Sequence, residues 1–163
     1  MLVSIFRYFF LTPGKETALS ENAKFITGGC LCGALGYEAD GQPAHAGYCY
    51  CADCRKASGS GFIPFMGFSA SVIHFSGETR QFRSRAARGG EAVRNFCPRC
   101  GSLVFGGEVG KHDSFTIYAG SLDDPSYFRP TIAIFAVSRP AWVIIPPGLT
   151  VFDRMPEGSP PKT

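Results

Sequence analysis

Short runs of β-branched and aromatic residues alternate with groups of Gly, Pro, Asp and Ser from residue 24 onward. Runs of this length and composition predict β-strands separated by turns. We predict strands at 34–39, 61–68, 72–75, 79–84, 92–96, 103–105, 115–119 and 131–135. The best short helix is at 52–58, where Asp53 lies near the start of the segment and Gly59 would end it. The pattern therefore predicts a mainly β fold with few short helices.

The composition fits one globular domain. The chain has 163 residues, of which 45% are hydrophobic and 18% charged, and this balance is typical of a folded core rather than of a disordered chain. The 20 glycines and 12 prolines favour strands and loops over helices. The formal charge of +3 is too small to indicate a polyanionic partner.

The two ends of the chain differ from its middle. Residues 1–11 are apolar with Arg7 among them, but no basic segment precedes them and no clear small-residue cleavage site follows. The segment is too short to span a bilayer. We expect an additional strand or a mis-set translation start there, with a weak signal or membrane-surface segment as the open alternative. We predict an extension and linker at 1–23, one domain at 24–155 and a tail at 156–163.

The seven cysteines carry the strongest chemical signal because they stand in three tight clusters. The clusters are Cys30 and Cys32; Cys49, Cys51 and Cys54; and Cys97 and Cys100. An odd number with CxC and CxxC spacing favours thiolates in a reducing compartment over a disulfide framework, and we predict a cytoplasmic location. Structural zinc sites take four protein ligands, whereas catalytic sites take three. The two outer pairs can therefore close one site, while the middle triplet leaves another open.

The outer pairs have the form of metal knuckles. Pro98 and Gly101 suit the tight turn that would aim Cys97 and Cys100 at one metal ion. In the CxC pair, an extended chain would place both side chains on the same face. One metal ion bound by both pairs would join distant parts of the domain, and its binding free energy would add directly to the stability of the fold. We expect structural zinc, with iron in a rubredoxin-like setting as the alternative.

The middle triplet places three thiolates within six residues, which favours a local metal site. Two alternatives remain open: His45 as a fourth ligand that closes the site, and a redox CxxC formed by Cys51 and Cys54. Three thiolates on Zn²⁺ make a weak Lewis acid, so activation of water is less favoured than ligation of a further soft thiol.

These motifs resemble a known family, the glutathione-dependent formaldehyde-activating enzymes, which share their domain with centromere protein V. The resemblance runs from about 27 to 155 and rests on GCLCG at 29–33, CYCADCRK at 49–56, FCPRCG at 96–101, and Trp142, Gly148, Leu149, Phe152 and Asp153. It implies a β-tent fold of short antiparallel sheets built around zinc knuckles. It also implies carbon–sulfur lyase chemistry that forms or cleaves S-hydroxymethylglutathione, with glutathione as co-substrate.

The resemblance further implies two zinc ions. A structural zinc is implied on Cys30, Cys32, Cys97 and Cys100, and a catalytic zinc on Cys49, Cys51 and Cys54. The family often has histidine where this chain has Tyr50 and Ala133. Neither departure removes a metal ligand, but we expect both to alter the pocket or its proton handling.

Three residues after the triplet are candidates for binding substrate. Arg55 and Lys56 directly follow the last ligand and could offset the negative charge of the thiolates, although both could equally be solvated surface cations. Ser58 could bind a carboxylate of glutathione or simply make a turn. The partners that the resemblance implies are a small-molecule thiol and an aldehyde.

A second function class is a non-catalytic zinc module that binds nucleic acid or protein through an arginine-rich face. The arginines in question are Arg80, Arg83, Arg85, Arg88, Arg94 and Arg99. Such a run could contact phosphates, but a solvated strand face is the usual explanation, and only Phe82 and Phe96 are available to stack on bases. We therefore expect no nucleic-acid partner and no membrane span, and the sequence leaves the oligomeric state open.

Overall fold

The computed structural model describes residues 25–87 and 89–158. Within these ranges it contains eleven strands, one α-helix and four short 3-10 turns. The strands are β1 (Phe25–Gly29), β2 (Leu35–Asp40), β3 (His45–Cys49), β4 (Ile63–Ser69), β5 (Ile73–Gly77), β6 (Arg80–Arg85), β7 (Glu91–Phe96), β8 (Leu103–Gly106), β9 (Ser114–Tyr118), β10 (Ile132–Ile134) and β11 (Thr150–Val151). The helix α1 is Ala52–Ser58. The 3-10 turns are Ala70–Val72, Ala119–Ser121, Pro125–Tyr127 and Ala136–Ser138.

The prediction of a mainly β fold with few short helices is confirmed. Each strand predicted from the sequence corresponds to an observed strand, and the predicted helix has the observed bounds. Gly59 ends the helix in the left-handed conformation with φ of 63°. Strands β1, β3 and β11 were not predicted, because they are short or contain Gly and Ala, which have weak strand propensity. The predicted extension at 1–23 lies outside the described residues, as do residues 159–163 of the predicted tail at 156–163.

The strands form two sheets. A small antiparallel sheet has the order β1, β2, β5. A larger sheet has the order β11, β10, β3, β4, β9, β8, β7, β6. It is antiparallel from β3 to β6, whereas β10 runs parallel to both β3 and β11. The parallel strand returns from the far end of the chain and covers the edge of β3.

The hydrophobic core lies between the two sheets. Leu35 and Tyr37 of the small sheet belong to the same buried cluster as Met66 and Ile117 of the large one. These positions alternate with residues that point to the opposite face, as strand geometry requires. One face of the large sheet is therefore used for the core, and its other face is free to build a site. No helix among the described residues has the length and apolar character needed to cross a membrane.

Candidate metal centres and active site

The outer cysteine pairs meet at one point. The sulfur atoms of Cys30, Cys32, Cys97 and Cys100 all lie within 4.8 Å of one another. The Cys30 and Cys32 sulfurs are 3.6 Å apart, and the Cys32 and Cys97 sulfurs 3.7 Å apart. A tetrahedral zinc with Zn–S distances of about 2.3 Å requires sulfurs separated by about 3.8 Å. The four thiols therefore fit a zinc ion.

Two tight turns position this group of four. The first follows β1, where the Gly33 N–H donates to the Cys30 carbonyl at 3.0 Å; the second joins β7 to β8, where the Gly101 N–H donates to the Cys97 carbonyl at 2.9 Å. Both glycines have positive φ, 72° and 74°, which other residues rarely adopt. The backbone N–H of Leu35 also donates to the Cys30 sulfur at 3.2 Å. The group thus joins the small sheet to the large one.

The sulfur atoms of Cys49, Cys51 and Cys54 form the second group, again within 4.8 Å of one another. Cys49 ends β3, and Cys51 is the N-cap of α1, its sulfur accepting a hydrogen bond from the Cys54 N–H at 3.4 Å. Hydrogen bonds with the Cys49 and Cys54 thiols hold the pKa of Cys51 far below its usual range. The three thiols are a soft donor set, and they fit zinc as the first group does.

No fourth ligand from the described residues completes the group of three. No His, Asp or Glu in the described part of the chain brings a ligand atom within 4.8 Å of all three sulfurs. The ring of His45, the candidate for closure, packs edge-on against Phe65 with 5.9 Å between ring centroids. Within this structure the triplet therefore keeps one direction open.

The three cysteines line a cavity of about 880 Å³. The face of the large sheet opposite the core forms its floor, with residues from β3, β4, β7, β8, β9 and β10. Gly67 and Gly106 lie in this floor, and a Cβ atom on Gly67 would approach the His45 ring to 2.2 Å. The two glycines therefore keep space above the sheet for larger side chains on the neighbouring strands.

Two cavity residues were not identified as site residues from the sequence. Arg94 on β7 and Tyr118 on β9 both line the cavity with the cysteine triplet. Burial raises the pKa of Tyr118, and the charge of Arg94 acts in the opposite direction. Arg94 is 7% exposed although it is charged, and its Nη1 donates to the Ser84 hydroxyl at 2.9 Å. The signal available in the sequence was an arginine in the middle of the predicted strand at 92–96.

The predicted substrate-binding residues lie on α1, outside the residues that line this cavity. Arg55 is partly buried, and its Nε has no hydrogen-bond partner, whereas Lys56 is exposed. The Ser58 hydroxyl donates to the Cys54 carbonyl at 2.9 Å and accepts from the Ser60 N–H at 3.3 Å. Ser58 therefore stabilises the end of the helix, and a role of these three residues in substrate binding stays a prediction.

The two departures from the family pattern lie together. Tyr50 and Ala133 are 1% and 0% exposed and belong to one apolar cluster with Val143. The Tyr50 ring also contacts Phe62, with 5.7 Å between centroids. Neither residue lines the cavity. The large Tyr50 side chain and the small Ala133 side chain therefore support β3 and β10 from the side opposite the triplet.

The arginine run does not form one exposed face. Arg83 pairs with Glu91 and Glu108 at 2.7 Å each, and Arg94 is buried. Arg80, Arg85 and Arg99 are exposed, and Arg88 lies outside the described residues. Two members of the run are thus committed to contacts within the protein.

Comparison with known proteins identifies the family of this chain. Residues 25–138, well over half of the chain, match the family described as glutathione-dependent formaldehyde-activating enzyme. No curated protein matches the chain. A crystal structure of a protein from Rhodobacter sphaeroides is 20% identical and covers 60% of this chain and 87% of its own, with a TM-score of 0.45. On the family match, the chain belongs to the glutathione-dependent formaldehyde-activating enzyme family.

Proposed function

We propose that this family member is a zinc-dependent carbon–sulfur lyase that forms or cleaves S-hydroxymethylglutathione or a related adduct of a thiol and an aldehyde. The observation that carries the proposal is the unequal number of sulfur atoms in the two cysteine groups, four and three. Of the described cysteines, only the three of the second group line the large cavity. Three thiolates leave one position of a tetrahedral zinc site for a substrate.

The two groups have different roles in this proposal. Cys30, Cys32, Cys97 and Cys100 hold a structural zinc, and their place between the two sheets supports that role. Cys49, Cys51 and Cys54 hold a catalytic zinc at the edge of the cavity. Zinc at the second group would accept a soft thiol and lower its pKa from about 8.5, so that the thiolate exists at neutral pH.

The reaction needs little beyond positioning and proton transfer. The thiolate sulfur attacks the carbonyl carbon of the aldehyde; the carbon–sulfur bond forms, and the electron pair of the C=O bond moves to oxygen, which takes up a proton. In the opposite direction the oxygen loses that proton, and the carbon–sulfur bond breaks with its electron pair returning to sulfur. Phe65 and Ile134 pack against Cys49 and Cys51, and these apolar side chains limit access of bulk water.

Tyr118 is our candidate for the group that assists the carbonyl oxygen. It lines the same cavity, and a tyrosine hydroxyl is protonated at neutral pH; burial raises the pKa of Tyr118 further. A phenol in that state donates a hydrogen bond, which stabilises the negative charge that develops on the oxygen.

Cobalt substitution tests this function directly, because cobalt–thiolate bands report the ligands of each site. Addition of glutathione should change the bands of the three-cysteine site and leave those of the four-cysteine site unchanged. Cys51→Ala should abolish the enzymatic formation of S-hydroxymethylglutathione, followed by NMR against the uncatalysed rate, and should keep the four-cysteine bands. A spectrum indifferent to every thiol tested would remove the main support for a lyase.

A further inference from the structure

We propose that Arg94 binds a carboxylate of the substrate, so that the cavity selects thiol–aldehyde adducts that carry a carboxylate. This inference rests on the proposed lyase function and adds the substrate class. It assigns to Arg94 a role in specificity, whereas the metal ligands supply the reactivity.

The Arg94 guanidinium is buried and only partly hydrogen-bonded. The residue is 7% exposed, and its Nε is buried with no hydrogen-bond partner. Its Nη1 donates to the neutral hydroxyl of Ser84. Among the described residues Arg94 forms no ion pair; the ion pairs there join Arg83 and Lys111 to glutamates. The charge of Arg94 acts on Cys54 of the triplet, but no carboxylate of the described residues pairs with it. A buried charge is costly unless it is paired and hydrogen-bonded, so this guanidinium can take an anionic partner from the cavity.

Arg94 lies in the same cavity as the cysteine triplet. Of the lysines and arginines in the described residues, Arg94 alone lines the cavity that holds the cysteine triplet. Asp53 and Asp113 also line it, but neither is within ion-pair distance of Arg94. Arg55, by contrast, also has an unpartnered Nε but does not line the cavity. An anionic ligand in the cavity therefore has one arginine and no lysine to meet among the described residues.

A glycine lies beside Arg94 on the neighbouring strand. Arg94 pairs across the sheet with Gly106, which in turn pairs with Thr116. The Tyr118 hydroxyl lies 3.1 Å from the place where a Cβ atom on Gly106 would be. Because Gly106 has no side chain, the Tyr118 hydroxyl lies over its backbone on the strand next to Arg94. A ligand whose sulfur reaches the cysteines can extend along the floor and place a carboxylate on Arg94, in the side-on geometry that arginine favours.

A different role for Arg94 predicts a different result. If Arg94 only offsets the negative charge of the thiolates, its removal weakens every thiol equally. If it binds a carboxylate, its removal weakens acids and leaves their esters unchanged. The test is therefore a cycle of two ligands and two proteins.

The experiment measures Kd by calorimetry on the zinc-loaded protein with glutathione and with glutathione diethyl ester. We expect the wild type to prefer the acid by about ten- to a hundredfold, as for a charge-assisted hydrogen bond, and Arg94→Gln to lose that preference. Arg94→Lys should keep part of it, because the charge remains without the planar fork. Arg80→Gln, a change at an exposed arginine on the edge strand β6, is the matched control and should behave as the wild type. Circular dichroism and zinc content show whether each variant is folded.

A second ligand pair identifies which half of the adduct carries the carboxylate. With the diethyl ester as the thiol, turnover of glyoxylate is compared with that of methyl glyoxylate. If wild type prefers glyoxylate over its methyl ester and Arg94→Gln does not, the aldehyde carries the carboxylate. If wild type prefers glutathione over its diethyl ester and Arg94→Gln does not, the thiol carries it. Each of these two results supports the inference. Equal use of acids and esters by the wild type overturns it while the lyase function stands. Failure of every thiol to bind overturns the lyase function and this inference with it.

Discussion

Replacing Cys100 by alanine should unfold the protein at a much lower temperature than replacing Cys51. Cys100 belongs to the group of four that joins the turn after β1 to the turn before β8, in different sheets. Cys32 and Cys97 of that group are 65 residues apart in sequence. A cross-link that closes a loop of that length restricts the unfolded chain by about 4 kcal/mol. For a chain of this size about 2–4 °C in Tm corresponds to each kcal/mol, so we expect a fall of about 8–16 °C.

Cys51→Ala removes a ligand from a group whose members are close in sequence, so the cross-link restricts little of the unfolded chain. The main structural loss is the cap of α1, where the Cys51 sulfur accepts from the Cys54 N–H. A lost cap costs about 1 kcal/mol, or a few degrees in Tm. Cys51→Ser keeps an acceptor at the cap and serves as the matched control.

The assay is thermal unfolding by circular dichroism with zinc in slight excess, together with the zinc content of each purified variant. We expect each alanine variant to lose one zinc ion, but only Cys100→Ala to lose stability on the larger scale. Equal falls in Tm for Cys51→Ala and Cys100→Ala would refute the division into a structural and a catalytic site.

Gly67→Ala should destabilise the fold by about 1–3 kcal/mol and weaken thiol binding, because the new methyl group would push the His45 ring toward the cavity. Gly120→Ala, which meets no atom within 4 Å, is the control in chemical denaturation and calorimetry, and equal effects of the two changes would contradict the packing argument. Burial raises the pKa of Tyr37 to about 12. The unfolded chain loses this proton near pH 10, so stability should be complete below pH 10 and fall by about 2–3 kcal/mol as the pH rises toward 12. Tyr37→Phe should reduce that fall in urea titrations at pH 9 and pH 11.5, and an unchanged slope would show that Tyr37 is not its source.

The elements that were predicted are those in which local chemistry decides the conformation. The helix at 52–58 ends at Gly59, the residue that most readily adopts the left-handed conformation needed there. Strand β3 was missed because HAGYC has little strand propensity of its own. It is a strand because β4 and β10 pair with it on both sides. Pairing of that kind depends on segments far away in sequence.

In the site, too, the features that depend on neighbouring residues could be predicted, and those that depend on distant pairing could not. Both cysteine groups could be found because metal ligands must be close in space, and short spacings such as CxC and CxxC show this in the sequence. Arg94 was assigned to a basic run because its neighbours Arg80, Arg83 and Arg85 are close in sequence. Its actual environment depends on the register of β7 with β8, which places Gly106 beside it. A register of this kind is set by tertiary packing.

The metal ligands and the residues proposed to set specificity come from separate parts of the chain, so specificity can change without loss of the metal site. The end of β3 and the first turn of α1 supply all three sulfurs of the triplet, so the metal ligands depend on one short segment. Arg94 and Tyr118, which face the opening, come from strands more than thirty residues farther along the chain. A substitution at Arg94 can therefore alter the charge that the cavity accepts and leave the ligand geometry intact. If Arg94→Gln instead removed zinc from the triplet, the two parts would be coupled and this reasoning would be wrong.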